Sequence, residues 1–84
     1  MTISMNDTRA RLVRCFAAIF PHLAPEEIER ASTNNVAGWD SLANVTLLSV
    51  VEEEFDVQIP IDDLETLSSF ELLLDYLRTA LSVQ

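Results

Sequence analysis

Apolar residues recur along the chain at helical spacing in three blocks, separated by polar, turn-forming stretches. In the first block, Leu12, Val13, Phe16, Ile19, Phe20 and Leu23 fall on one helical stripe, with Arg11 and Arg14 opposite. Asp7 is the expected N-cap and Pro21 limits the helix, which predicts a first helix over about 7–20. Pro25-Glu26-Glu27-Ile28 opens a short acidic turn over 25–31, with proline at a tolerated first-turn position. Residues 32–39 read as a loop, because Ser32, Thr33, Asn34, Asn35 and the chain's one glycine, Gly38, favour turns over periodic structure.

Asp40 is the next cap, its carboxylate placed to accept first-turn amides of a helix over 41–55. On that helix Asn44, Leu47, Leu48, Val51 and Phe55 share the side expected to be buried. Leu42, Val45, Thr46, Ser49, Glu52 and Glu53 share the side expected to face water, so two branched aliphatics are left in solvent. Residues 56–60 form a linker pinned by Val57 and Ile59, and 61–65 make a short helix of one turn. Ser68-Ser69-Phe70-Glu71 has the spacing of a capping box, Ser68 to Glu71. The last helix, over 69–81, carries Phe70, Leu73, Leu74, Leu77 and Leu81 inward. The fold class expected is all-α, a single domain over 1–84: a small four-helix bundle of three main amphipathic helices plus a short third helix. Its interior draws on Leu47, Val51, Phe55, Ile59, Leu64, Phe70 and Leu74, while Leu72 and Tyr76 fall outside the last stripe as scattered exposed apolars.

With 49% apolar residues in 84, the chain has the material for one small core and is no disordered tail. Its net charge of −9 is unevenly placed. Residues 1–30 balance four arginines against four acids; residues 31–84 set ten acids against Arg78 alone. A surface of that sign repels phosphate backbones and attracts basic partners, so nucleic acid is not an expected ligand. One cysteine, Cys15, excludes an intramolecular disulfide, and with one histidine it makes no structural zinc site, which fits a reducing, cytoplasmic setting. No apolar run approaches the ~18 residues of a membrane span. Asp62, Asp63 and Glu65 lack the spacing and loop glycine of a calcium loop.

Gly38-Trp39-Asp40-Ser41-Leu42 hands a serine to the start of a helix, where a phosphate ester would meet free N–H groups and the positive end of the helix dipole. By position alone, Asp-Ser at a helix start is most often only a cap. Ser41 is not a hydrolase nucleophile: the one histidine, His22, follows Pro21, and no glycine-rich elbow surrounds the serine. Trp39 reads as a lid over the core, Cys15 as a small apolar filler, and Glu52-Glu53-Glu54 as either a solvated helix end or a recognition surface.

Asp40-Ser41-Leu42, the helix ending Glu52-Glu53-Glu54-Phe55, Ile59-Pro60, and a closing helix with Asp75-Tyr76-Leu77 together resemble the acyl carrier protein family over about residues 36–80. The resemblance implies a non-catalytic carrier whose Ser41 receives 4'-phosphopantetheine from coenzyme A through a magnesium-dependent phosphopantetheinyl transferase. The arm's thiol then holds acyl cargo as a thioester, as in fatty acid or polyketide biosynthesis. It also implies partners that read the helix after the serine: an acyl-loading ligase or transferase and acyl-processing enzymes with basic surfaces. Asp40, Leu42, Val45, Glu52 and Glu53 are the contact residues it implies. Ala43, Asn44 and Thr46 stand where early acids are usual in fatty-acid carriers, which points to a dedicated pathway. Gly38-Trp39 before the aspartate is closer to specialised or aminoacyl carriers. A freestanding chain is expected from Met1 and the short tail after Leu81, with a monomer as the default. The alternatives are an aminoacyl or peptidyl carrier and an unmodified acidic helical adaptor.

Overall fold

A computed structural model describes residues 5–63 and 66–82. The expected Leu64 core position, Glu65 and the end of the short helix over 61–65 lie outside the described residues. The described residues form an all-α bundle: α1 (Met5–Ile19), α2 (Pro25–Ile28), α3 (Ser41–Phe55), a 3₁₀ turn (Ile61–Asp63) and α4 (Phe70–Ser82). Extended pairing among them is confined to an isolated antiparallel bridge between Ser32 and Ser69.

α1 is the element against which α2, α3 and α4 all pack. Its inward stripe delivers Leu12, Cys15 and Phe16, each nearly or wholly removed from solvent, with Phe20 just beyond its end. α3 contributes Leu47, Leu48, Val51 and Phe55, and α4 contributes Phe70, Leu73, Leu74 and Leu77. α2 adds Ile28, and the connections add Ala31, Val36, Trp39, Ile59 and Leu67. Those irregular segments are short and carry a single apolar residue at a time, so no period announces their burial. Phe16 is fully buried and sits at the meeting point, 5.3 Å from Trp39 and 5.3 Å from Phe70, edge-on to both. Burying an aromatic of this kind is worth about 1.5–3 kcal/mol from area alone, with edge-to-face pairing adding about 0.5–1.5 kcal/mol.

Two arginines of α1, Arg11 from the side opposite the apolar stripe and Arg9, cross between elements. Arg11 reaches the Glu54 carboxylate at 2.8 Å and the Glu54 carbonyl, with its guanidinium 4.5 Å above the Phe55 ring. Arg9 meets Glu29 at 2.9 Å and Glu71 at 3.4 Å over the edge of the core at Phe70. Partly exposed pairs of this kind contribute at most about 1 kcal/mol each, so they set helix register while the apolar core supplies the stability.

Four local expectations are corrected. α1 already includes Met5, so Asp7 lies within the helix rather than at the cap, still near the end where a carboxylate is favourable. The residue capping α4 is Ser69, whose Oγ accepts the Leu72 N–H at 3.1 Å, and not Ser68. The backbone of Ser68 is already committed, accepting from Thr33 N–H while Phe70 N–H donates to Ala31. That pairing shifts the helix start by one residue, and Glu71 turns to Arg9 instead of closing a capping box. Tyr76 is half-buried against the core, not scattered on the surface. Its hydroxyl makes a long 3.5 Å contact to the Gln58 carbonyl, and burial, then Asp63 and Glu52, push its pKa up so that it stays a donor. Glu52 is half-buried rather than fully in water: its carboxylate accepts the Ile59 N–H at 2.8 Å and its carbonyl accepts from Val57.

α3 ends on Asp56 in the left-handed region, φ 54° and ψ 50°, a conformation that favours glycine. Its carboxylate also stands at the negative end of the helix dipole, after three glutamates. Asp56→Gly removes the steric and the electrostatic cost together and is expected to stabilise the chain by about 0.5–1 kcal/mol, a rise in Tm of about 2–8 °C. Asp56→Asn, which relieves the charge only, gains less. Thermal denaturation followed by far-UV circular dichroism compares the two.

Candidate functional site

The site is built where the loop over residues 32–40 turns into α3. Gly38 carries φ 89°, and a Cβ there would meet no atom within 4 Å, so the backbone conformation and not crowding calls for glycine. The turn directs Trp39 inward. Trp39 is only 4% exposed, edge-on to Phe16 at 5.3 Å and tilted on Phe20 at 5.8 Å. It is the lid over the core expected from sequence. Its indole N–H donates to Asn44 Oδ1 at 3.0 Å, one turn into α3.

With Trp39 facing in, Asp40 and Ser41 face out. Asp40 has extended dihedrals, and its Oδ1 accepts the Ala43 N–H at 2.9 Å while its carbonyl accepts from Asn44. This is the N-cap the sequence indicates. Ser41 is the first residue of α3 and is exposed. Leu42 follows at 76% exposure and Val45 at 48%, an apolar pair left in water beside the serine. An open groove of about 450 Å³ runs alongside, lined by Thr33, Trp39, Asp40, Ser41, Asn44, Val45 and Ser68. Thr33 and Ser68 belong to the backbone pairing that ties the loop to α4, so the groove's far wall is held by the fold.

The acids at the other end of α3 are not equivalent. Glu54 is taken up by Arg11, and Glu52 by the Ile59 amide. Glu53 and Asp56 are exposed and meet no cation among the described residues. They line a shallow groove with Ser49, Glu52, Val57 and Gln58. Of the residues singled out from sequence, then, Asp40, Ser41, Leu42 and Val45 form one neighbourhood, and Glu53 stands two to three turns further along the same helix. His22 is exposed in the connection after α1, edge-on to Phe20, and does not line the groove beside Ser41. Burial raises the Cys15 thiol to about 11, assisted by Glu54 and opposed by Arg11 and Arg14. It is a packing group with almost no thiolate at neutral pH.

Sequence reasoning missed Asn44 and Asp56. Asn44 was placed on the buried face of α3, where a lone amide among aliphatics calls for a partner; only the fold shows that the partner is Trp39. Asp56 carries no signal in periodicity, because its significance lies in a backbone dihedral.

Removing the cap by Asp40→Ala is expected to cost about 1 kcal/mol, within the ~0.5–2 kcal/mol range for helix N-caps, with the loss concentrated in the first turn of α3. Urea titration reads the global value, and amide exchange at Ala43 and Asn44 reads the local one.

A family model described as the phosphopantetheine attachment site matches residues 10–77. An acyl carrier protein of Chlorobium phaeobacteroides is 48% identical over 40 residues, a stretch that covers 48% of this chain and 51% of that protein. The chain is thus aligned over about half the length of that curated relative.

Proposed function

The chain belongs to the acyl carrier protein family, whose phosphopantetheine attachment model spans most of it, and we propose that Ser41 is the residue to which the group is joined. It is a non-catalytic carrier, and its cofactor is covalently attached 4'-phosphopantetheine. The observation that carries the assignment to Ser41 is its exposed hydroxyl at the first position of α3, beside the open groove.

The residues present fit such a group. Asp40 occupies the Ala43 amide, leaving the first-turn N–H groups of Ser41 and Leu42, which have no acceptor among the described residues, to face an anion. With the positive end of α3 behind them, these amides favour a phosphodiester at the serine by about 0.3–1 kcal/mol per charge in an exposed setting. The groove supplies hydroxyls from Thr33 and Ser68 and an apolar edge from Val45. When attached, the group supplies a terminal thiol that takes acyl cargo in thioester linkage. Cys15, buried and protonated, does not compete with it.

α3 also presents a graded surface to partners. Leu42 and Val45 offer apolar contact next to the serine; Glu53 and Asp56 offer negative charge at the far end, with Glu52 contributing the carboxylate edge not bound to Ile59. Enzymes that load and process the cargo are read as placing an apolar rim around Ser41 and Lys or Arg opposite Glu53 and Asp56. The uncharged first turns, Ala43, Asn44 and Thr46, favour a dedicated set of partners over those of general fatty acid synthesis.

Incubated with coenzyme A, Mg²⁺ and a broad-specificity phosphopantetheinyl transferase, the wild-type chain is expected to gain one phosphopantetheine by intact-mass measurement and Ser41→Ala none. Modification of Ser41→Ala rejects the assignment. Reversing Glu53 and Asp56 to Lys should raise partner KM about 10-fold or more at low salt and flatten its ionic-strength dependence, while reversing Glu52 also loses the Ile59 bond and lowers Tm. Steady-state kinetics against salt, beside thermal melts, separates these two effects.

A further inference from the structure

We propose that Asn44 is a positioning residue for the modification of Ser41, acting through a hydrogen-bonded clasp on Trp39; this rests on the reading of Ser41 given above. The clasp closes a small loop of chain around the serine. Trp39 N–H donates to the Val36 carbonyl, Trp39 Nε1 donates to Asn44 Oδ1 at 3.0 Å, and Asn44 N–H donates to the Asp40 carbonyl. Ser41 lies between the two ends of this circuit, and both Trp39 and Asn44 wall the groove beside it.

The indole N–H is the part of Trp39 that decides the loop's orientation. The ring's contacts with Phe16 and Phe20 are apolar and tolerate small rotations, whereas the N–H bond to α3 is directional. With 4% of the residue exposed, an indole deprived of Asn44 has little access to water in the native position, so it must either stay unsatisfied or swing outward. Swinging moves the Gly38 to Asp40 turn, whose left-handed glycine gives it little steric resistance. Ser41 would then be presented in the competent orientation for only part of the time. The consequence is specific: a transferase that selects the ordered loop sees a lower effective concentration of carrier, which raises KM and leaves kcat nearly constant.

The test uses three variants of the full chain: Asn44→Leu, which removes the acceptor at similar volume; Trp39→Phe, which removes the donor and keeps a ring on Phe16; and both together. Modification kinetics are read with coenzyme A and a phosphopantetheinyl transferase at a temperature well below every variant's Tm, so that loss of global stability alone changes neither constant. Solvent exchange of the indole N–H proton by NMR provides a readout independent of the reaction. Each single substitution is expected to raise KM about two- to tenfold, the range of one neutral hydrogen bond, with kcat within about twofold. The double variant is expected to match the singles instead of multiplying them. In Asn44→Leu the indole proton, protected in wild type, exchanges rapidly. Wild-type KM in the single variants, multiplicative losses in the double, or an indole proton equally protected without Asn44 overturns the clasp. A wild-type chain that is not modified at all, with the indole proton still protected, overturns instead the Ser41 reading and with it the role given to Asn44.

Discussion

The contact between Phe16 and Trp39 ties the loop before α3 to the centre of the core. Phe16, fully buried on α1, offers its ring to Trp39 and to Phe70 at the same 5.3 Å separation, and so joins the loop before α3 and the start of α4 to one point. Trp39 is adjacent to the N-cap. Once its side chain is committed inward, the chain direction through Asp40 is set, and Ser41 emerges at the exposed head of α3. The bridge of Ser32 with Ser69 makes the same connection through the backbone. A domain of this size has few independent ways to hold a loop, and here ring packing, a backbone bridge and one side-chain hydrogen bond converge on a stretch of about ten residues.

Charge along the chain is divided by task. Two arginines of the N-terminal third serve the fold: Arg9 and Arg11 span to Glu29, Glu71 and Glu54 and cover aromatic rings. The acids left after that pairing include Glu53 and Asp56 at the end of α3, where they oppose the helix dipole and, in Asp56, occupy a backbone region better suited to glycine. Unfavourable placement for stability and free presentation to solvent coincide there. Around the serine the order is reversed, with apolar Leu42 and Val45 exposed and the early helix uncharged. On the reading proposed for Ser41, this arrangement would separate short-range apolar fit beside the serine from longer-range attraction further along one helix.

What could be read from the sequence was what local chemistry decides. The span 41–55 and its Asp40 cap follow from periodicity and a single side chain, and the structure has α3 at Ser41–Phe55 with that cap. Six of the seven aliphatic and aromatic residues expected in the interior are buried; the seventh, Leu64, is outside the described residues. What escaped was set by tertiary partners. Ser68 yields the cap of α4 to Ser69 because a loop some 35 residues away in sequence claims its backbone. Arg11, polar and off the apolar stripe, turns to the end of α3 because Glu54 and the face of Phe55 lie there. Glu52, counted among the outward acids, is held by an amide seven residues on. In each case the residue type was informative and the partner was not, since long-range pairing leaves no period.

In the reading proposed here, this packing displays one hydroxyl, that of Ser41, for attachment of phosphopantetheine. The most direct measurement is peptide-level tandem mass spectrometry of the chain produced together with a phosphopantetheinyl transferase, localising the group residue by residue. The group is expected on Ser41 and on no other serine or threonine, including Thr33 and Ser68 in the same groove. Its presence on any other hydroxyl, with Ser41 bare, overturns the assignment of Ser41.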